Sequence, residues 1–233
     1  MSAETLPVVA VLLAGGTGAR MGSDQPKQLL ELGGRTILER SLLAFHEHPG
    51  VDEVLVVMAA DHLAAAQQVA AGYPHVRGVI EGGATRSEST MRALEHLGDR
   101  DCLVLVHDAA RPLVSGEVIG RCLEALADHP AVLVAVPATD TMVEVDADET
   151  VQSVPSRSSL RRVQTPQGFR SDVLRSAYAA AEADPDFVAT DDASVVFHYL
   201  PGHSVGVVAG EERNLKVTTP LDLTIAEALL RVD

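Results

Sequence analysis

The residues best suited to chemistry in this chain are those that would hold phosphate without moving a proton. Leu13-Ala14-Gly15-Gly16-Thr17-Gly18-Ala19-Arg20-Met21-Gly22 is closed by Pro26-Lys27-Gln28. Four glycines in eight residues let the backbone turn sharply and expose its N–H groups. Arg20 and Lys27 add two cations seven residues apart on the same loop. Bare N–H groups with fixed positive charge beside them are what a triphosphate needs, so the segment points to a nucleotide-binding enzyme acting on phosphates. The P-loop pattern GxxxxGK[ST] is absent, and the dinucleotide fingerprint GxGxxG breaks where Met21 stands in place of its last glycine. The alternative, a tight strand-to-helix turn that binds nothing, leaves Arg20 and Lys27 unexplained.

Four further groups of residues are candidates. Glu81-Gly82-Gly83-Ala84-Thr85-Arg86-Ser87-Glu88-Ser89 ends a strand with two glycines and opens a polar helix. Its serines suit contacts to a base or sugar, and it reads equally as a turn plus an N-cap. His107-Asp108-Ala109-Ala110-Arg111-Pro112 puts an acid and a cation at a strand tip, fit for hydroxyls, phosphates or a water-bridged magnesium ion, or for an ion pair with each other. Arg157, Arg161 and Arg162 put three arginines into six residues, serving either an anion or salt bridges to Glu144 and Asp146. Lys216 lies in Asn214-Leu215-Lys216-Val217-Thr218, where an ordinary surface lysine is the plain alternative. Thr190-Asp191-Asp192-Ala193-Ser194 reads as a capped helix start rather than a metal site. His107 is expected to pack rather than act as a base.

These groups need a frame. Short β-branched runs at 8–14, 53–59, 76–80, 102–107, 131–136 and 204–209 alternate with amphipathic segments near 36–48, 61–71, 86–97, 115–128, 172–183 and 220–231. Continuous apolar strands followed by helices predict an α/β fold with a mostly parallel sheet covered on both faces. Ligands then lie at the carboxyl ends of the strands, where the loops at 14–28, 81–89 and 107–112 fall. Residues 138–164 break the rhythm and read as an inserted hairpin, either a lid or an arm against a partner subunit.

Composition excludes several classes. The 233 residues are 46% apolar but only 3% aromatic, with no Trp, so Val, Leu and Ala fill the core. A net charge of −15 opposes binding to nucleic acid or to an anionic membrane surface, and any cations that meet an anion must be concentrated at one site. Cys102 and Cys122 belong to no metal-ligand pattern and suit a reducing cytoplasm. No apolar run approaches the ~18 residues of a membrane span, and no signal or transit pattern is read.

Taken in order, these motifs, with Asp140-Thr141-Met142 and Thr165-Pro166-Gln167, resemble the nucleotidyltransferases. Within them they are similar to the 2-C-methyl-D-erythritol 4-phosphate cytidylyltransferase family of the non-mevalonate isoprenoid route. The resemblance implies one Rossmann-like domain over residues 1–233, with the 138–164 insertion as a dimerisation arm. It implies that CTP and 2-C-methyl-D-erythritol 4-phosphate give the CDP-linked product and pyrophosphate, with Mg²⁺ held mainly through the CTP phosphates and no protein metal site. Arg20 and Lys27 would stabilise the transition state; Arg157 and Lys216 would position the methylerythritol phosphate. Ala14, Gly15, Gly16, Gly18, Gly83 and Ser89 would hold CTP. Asp108, Arg111, Thr141 and Thr165 would line the second substrate's pocket, with Thr141 and Arg157 reaching into the neighbouring subunit. Some relatives carry a fused cyclase; with its end at Asp233, this chain is expected to lack that activity.

The chemistry agrees with the residues. A phosphate monoester is mostly dianionic at neutral pH, its second pKa being ~6, so it attacks without a general base. What remains is repulsion between two anions, which fixed cations and alignment relieve. The rivals are a cytidylyltransferase using ribitol 5-phosphate, a non-catalytic nucleotide-binding regulator, and a dinucleotide-dependent reductase. The last lacks an acidic residue after the second strand, where Met58-Ala59-Ala60 stands.

Overall fold

The computed structural model describes residues 6–16, 26–184 and 188–232. In chain order the elements begin β1 (Val8–Leu13), β2 (Glu31–Leu32), β3 (Arg35–Thr36), α1 (Ile37–His46), β4 (Glu53–Met58), α2 (Leu63–Ala70), β5 (Val76–Glu81), α3 (Arg86–Leu97) and β6 (Leu103–Asp108). They continue with α4 (Gly116–Ala125), β7 (Ala131–Pro137), β8 (Glu144–Val145), β9 (Val151–Ser153), β10 (Arg161–Arg170), α5 (Ser171–Ala181), α6 (Asp192–Tyr199), β11 (Val205–Ala209) and α7 (Pro220–Leu230).

Seven strands form one sheet in the order β11-β7-β10-β6-β1-β4-β5. All neighbours pair in parallel except β10, which runs antiparallel to both β6 and β7. Every residue of β1 is buried, because helices cover both faces. Its side chains alternate: Ala10 and Leu12 join the core with Phe45 and Ile119, while Val9 and Val11 join Leu94, Leu174 and Val196 on the other face. A small third cluster seats α7, where Ala226 packs with Leu32, Ile37 and Val217.

The strand order reverses at β1, with β4 on one side and β6 on the other. A sheet that switches direction in this way opens a crevice beyond the carboxyl ends of those strands. Gly15 and Gly16 after β1, Gly83 after β5 and Asp108 at the end of β6 all line it.

The expected parallel strands and their helices are present, with boundaries shifted by a few residues. β10 was not expected as a sheet strand. Its centre, Gln164-Thr165-Pro166-Gln167-Gly168, is polar, and proline argues against a central strand. The chain accommodates it with a register break between Gln164 and Gln167, where the Thr165–Pro166 peptide is cis. The expected hairpin is correspondingly shorter. Its ladder joins 144–145 to 151–153, and residues 161–164 belong to the main sheet.

Candidate active site

A cavity of about 330 Å³ lies at the switch in strand order, lined by Gly15, Gly16, Lys27, Gly83, Arg86, Ser89, Asp108 and Lys216 among others. Seven of these eight are residues the sequence singled out for a role. A larger hollow of about 830 Å³ between α1 and α2 has no lysine or arginine in its wall. The smaller cavity, where lysines from two distant segments meet the glycines, is the candidate site.

Three segments converge on Lys216, which sits in a stretch without regular structure between β11 and α7. Arg111 Nη1 donates to the carbonyl of Asn214 at 2.8 Å, and Lys27 Nζ donates to that of Val217 at 3.0 Å. The Val217 N–H donates to Ala110 O at 2.8 Å, and Asn214 Nδ2 to Thr165 O at 2.8 Å. A lysine that read as surface is thus held on a fixed backbone, and its Nζ lies 2.8 Å from Asp108 Oδ2. Lys27 itself is buried, its 3-10 turn starting at Lys27 right after Pro26.

Asp108 does not pair with Arg111 as the plain reading allowed. Its second oxygen, Oδ1, accepts from Arg86 Nε at 3.2 Å. Burial alone would raise the Asp108 carboxyl; the charge of Arg86, then that of Lys216, overrides it and holds the group well below the usual carboxylate range. The guanidinium of Arg111 is pushed down, chiefly by burial, and it serves as a strut between loops.

His107 is fully buried and packs on Phe45 with ring centroids 4.9 Å apart. Burial drops its pKa to about 4, so the ring is neutral at neutral pH. Nε2 lies 3.1 Å from the Arg111 carbonyl, which only accepts, so the ring proton is assigned to Nε2. Nδ1 must then accept from the Thr165 hydroxyl at 3.0 Å, and that hydroxyl accepts in turn from the Asp108 N–H at 3.0 Å. His107 is a structural residue here, as its sequence position implied.

The glycines after β5 are dictated by crowding. A Cβ on Gly83 would fall 2.1 Å from Glu88 Cβ. Ser89 Oγ accepts from the Gly83 N–H at 3.1 Å and donates to Thr85 O at 2.9 Å, while Glu88 accepts from the Ala84 N–H at 2.7 Å. The Ser89 hydroxyl therefore fastens the loop on itself. Ala14 is fully buried behind the cavity, its N–H committed to Val57 O at 2.7 Å. Thr141 and Arg157 are exposed on the hairpin and its base and are not in the cavity wall; Arg157 Nη1 donates to Thr139 O at 2.9 Å. Gly18 and Arg20 lie outside the described residues.

Neither Arg86 nor Asp192 was among the residues expected in the site. Arg86 Nη1 reaches the fully buried Asp192 at 2.6 Å while its Nε holds Asp108. A signal existed: a cation on the first position of α3 opposes the helix dipole, a local conflict that asks for a tertiary partner. The 190–194 segment is a capped helix start as read, with Asp191 accepting from Ser194 N at 2.8 Å. Among the described residues no three His, Cys, Asp or Glu side chains cluster as metal ligands. Among them too, no helix is long and apolar enough to cross a membrane.

A crevice at the strand-order switch, walled by glycines and by cations from distant segments, defines an α/β enzyme of the nucleotidyltransferase kind. The comparisons with known proteins narrow this class. Residues 8–232 match the family model described as IspD, 2-C-methyl-D-erythritol 4-phosphate cytidylyltransferase. The chain belongs to that family. It is 55% identical to the 2-C-methyl-D-erythritol 4-phosphate cytidylyltransferase of Thermobifida fusca, over 96% of this chain and 93% of that protein. The crystal structure of 4-diphosphocytidyl-2C-methyl-D-erythritol synthase from Anaerococcus prevotii superposes with a TM-score of 0.86 at 32% identity, over 97% of this chain and 96% of that one. A Haemophilus influenzae protein, a bifunctional ribulose 5-phosphate reductase and CDP-ribitol pyrophosphorylase, is 37% identical; the match covers 96% of this chain and 48% of that protein.

Proposed function

We infer that this chain transfers CMP from CTP to 2-C-methyl-D-erythritol 4-phosphate, releasing pyrophosphate, as its family does. One monoester oxygen bonds to the α-phosphorus of CTP while the α–β bridging oxygen departs with pyrophosphate. The observation that carries the reading is the meeting of Lys27 and Lys216, from opposite ends of the chain, in one cavity beside the glycine turn. With no base needed, the work is to hold two anions together against their repulsion.

Lys27, with Arg20, stabilises charge on the triphosphate. Lys216 and Arg157 hold the phosphate of the second substrate, while Asp108, Arg111, Thr165 and Thr141 shape the rest of its pocket. Gly15, Gly16, Gly18 and Gly83 allow the nucleotide close approach, and Ala14 and Ser89 fix the turns around it. Magnesium, arriving on the CTP phosphates, would neutralise part of their charge. The donor set fits that role: Asp108 is the one carboxylate among the described wall residues and would reach the ion through water.

The protein works as a homodimer through its hairpin. Met142, Val143, Val145, Val151 and Val154 are each 47–62% exposed along it, a run of apolar surface that a second copy would cover. Thr141 and Arg157, outside the wall of their own cavity, would then serve the partner's. The two cysteines, both free and buried, suit the cytoplasm.

The test is a pyrophosphate-release screen of the four ribonucleoside triphosphates against 2-C-methyl-D-erythritol 4-phosphate and ribitol 5-phosphate. CTP with the branched substrate should dominate. Preferred turnover of ribitol 5-phosphate would favour instead the activity named for the Haemophilus protein.

A further inference from the structure

A row of alternating charges runs from beneath α6 to the cavity. Both oxygens of buried Asp192 are used: Oδ1 accepts from Tyr178 Oη at 2.6 Å and Oδ2 from Arg86 Nη1 at 2.6 Å. Arg86 Nε holds one oxygen of Asp108 at 3.2 Å, and Lys216 Nζ holds the other at 2.8 Å. The Asp192 side chain is 0% exposed and that of Lys216 is 42% exposed, so the row is anchored at one end and open at the other.

The geometry points to Arg86, fixed by Asp192, as a positioning residue that frees Lys216 for the substrate phosphate. This rests on the reading of Lys216 given above. When Lys216 turns to an incoming phosphate, an Asp108 paired with it alone would be left as a buried, uncompensated anion, a heavily disfavoured state. Arg86 keeps Asp108 paired throughout, so Lys216 leaves at little cost. Asp192 and Tyr178 stop Arg86 from following it: burial alone would lower the guanidinium's pKa, but Asp192, then Asp108, raise it above its ordinary value. Arg86 and Asp192 are 106 residues apart in sequence, and the pair also braces α3 against α6. A purely bracing role is the alternative to exclude.

The experiment is a double-mutant cycle on the full chain, using Arg86→Gln, Lys216→Gln and the pair. The dissociation constant of 2-C-methyl-D-erythritol 4-phosphate is measured calorimetrically with a non-hydrolysable CTP analogue bound, so that inactive variants still give a value. Arg86→Gln should weaken binding at least tenfold in the parent and less than threefold in the Lys216→Gln background. Arg86→Lys, which keeps the charge but reaches one carboxylate, should recover part of the loss. Equal losses from Arg86→Gln in both backgrounds would mean a brace and overturn the proposal while leaving Lys216 in place. A Lys216→Gln protein that binds within twofold of the parent would remove the underlying reading as well. Should Arg86→Gln fail to fold, the same-shaped Asp192→Asn enters the cycle with the same required inequality.

Discussion

The ammonium of Lys27 donates to the carbonyl of Val217 at 3.0 Å, one residue beyond Lys216 and 190 residues along the chain from Lys27 itself. The lysine of the first loop therefore braces the backbone that presents the last one. Arg111 grips the same segment two residues before Lys216, at the Asn214 carbonyl, 2.8 Å away. Lys27 and Arg111 together set where the backbone presents Lys216. In a chain of net charge −15, such bracing concentrates scarce positive charge where two anions must meet.

Lys27→Ala should accordingly act twice. Loss of a fixed charge beside transferring phosphate is expected to lower kcat by about 10²–10³, by analogy with loss of one preorganised donor. Release of the Val217 carbonyl should raise KM for the polyol phosphate and cost about 1 kcal/mol of stability. Steady-state kinetics with a urea melt reads both. A kcat within fivefold of the parent would take Lys27 out of the chemistry.

Gly83→Ala tests the second loop by sterics alone. The new Cβ would sit 2.1 Å from Glu88 Cβ and 3.0 Å from the Glu88 backbone carbon, so the loop or the start of α3 has to move. Overpacking of this kind costs roughly 1–3 kcal/mol. KM for CTP should rise tenfold or more, with a smaller effect on the second substrate. Gly34→Ala, where a Cβ meets nothing within 4 Å but φ is +81°, is the control for strain without crowding. Equal behaviour of the two variants towards CTP would show that crowding at Gly83 is irrelevant to nucleotide binding.

The parts of this fold that were legible in the sequence are those whose reasons are local. The apolar run of β1 and the glycines behind it needed no partner to be recognised. β10 was hidden because its buried centre is polar and is satisfied only by distant groups. Gln164 Nε2 donates to Glu211 O at 2.8 Å, and Gln167 Nε2 to Asp191 at 3.0 Å. Lys216 was visible as a candidate, but the struts that fix it come from Lys27 and Arg111, far off in the chain. Arg86 stands in the polar segment that opens α3. Its meaning depends on Asp108 and Asp192, and a sequence read segment by segment does not join them.

The hairpin makes a prediction about stoichiometry. Arg157 is exposed at the base of the arm, and its guanidinium donates to the carbonyl of Thr139 at 2.9 Å. Arg157→Ala should raise KM for the polyol phosphate far more than KM for CTP. An equimolar mixture with Lys27→Ala should restore about a quarter of parental activity, because about half of the re-paired dimers are mixed and one of the two sites in each then has both residues. Mixtures as inactive as either parent would show that each chain completes its own site.

Stability should fall with acidity in two separate windows. His107 has a folded pKa of about 4, against 6.5 for the free group, because burial disfavours the imidazolium. On lowering the pH, the unfolded chain takes up this proton near 6.5 and the folded one only near 4. More protons on the unfolded state means that stability drops across that interval, by up to on the order of 3 kcal/mol. Asp108 is depressed too, so its contribution is complete above the ordinary value of 3.8 and drains away below it. His107→Gln should flatten the upper window and leave the lower one, while Asp108→Asn should do the reverse. The other depressed histidine and carboxyl groups, His48, Glu53, Glu117, Asp146 and Asp222, are common to all three proteins and drop out of the comparison. Urea midpoints at pH 7, 6, 5 and 3.5 give the result. Parallel curves for parent and His107→Gln between pH 7 and 5 would mean that His107 is not the group whose protonation opposes folding.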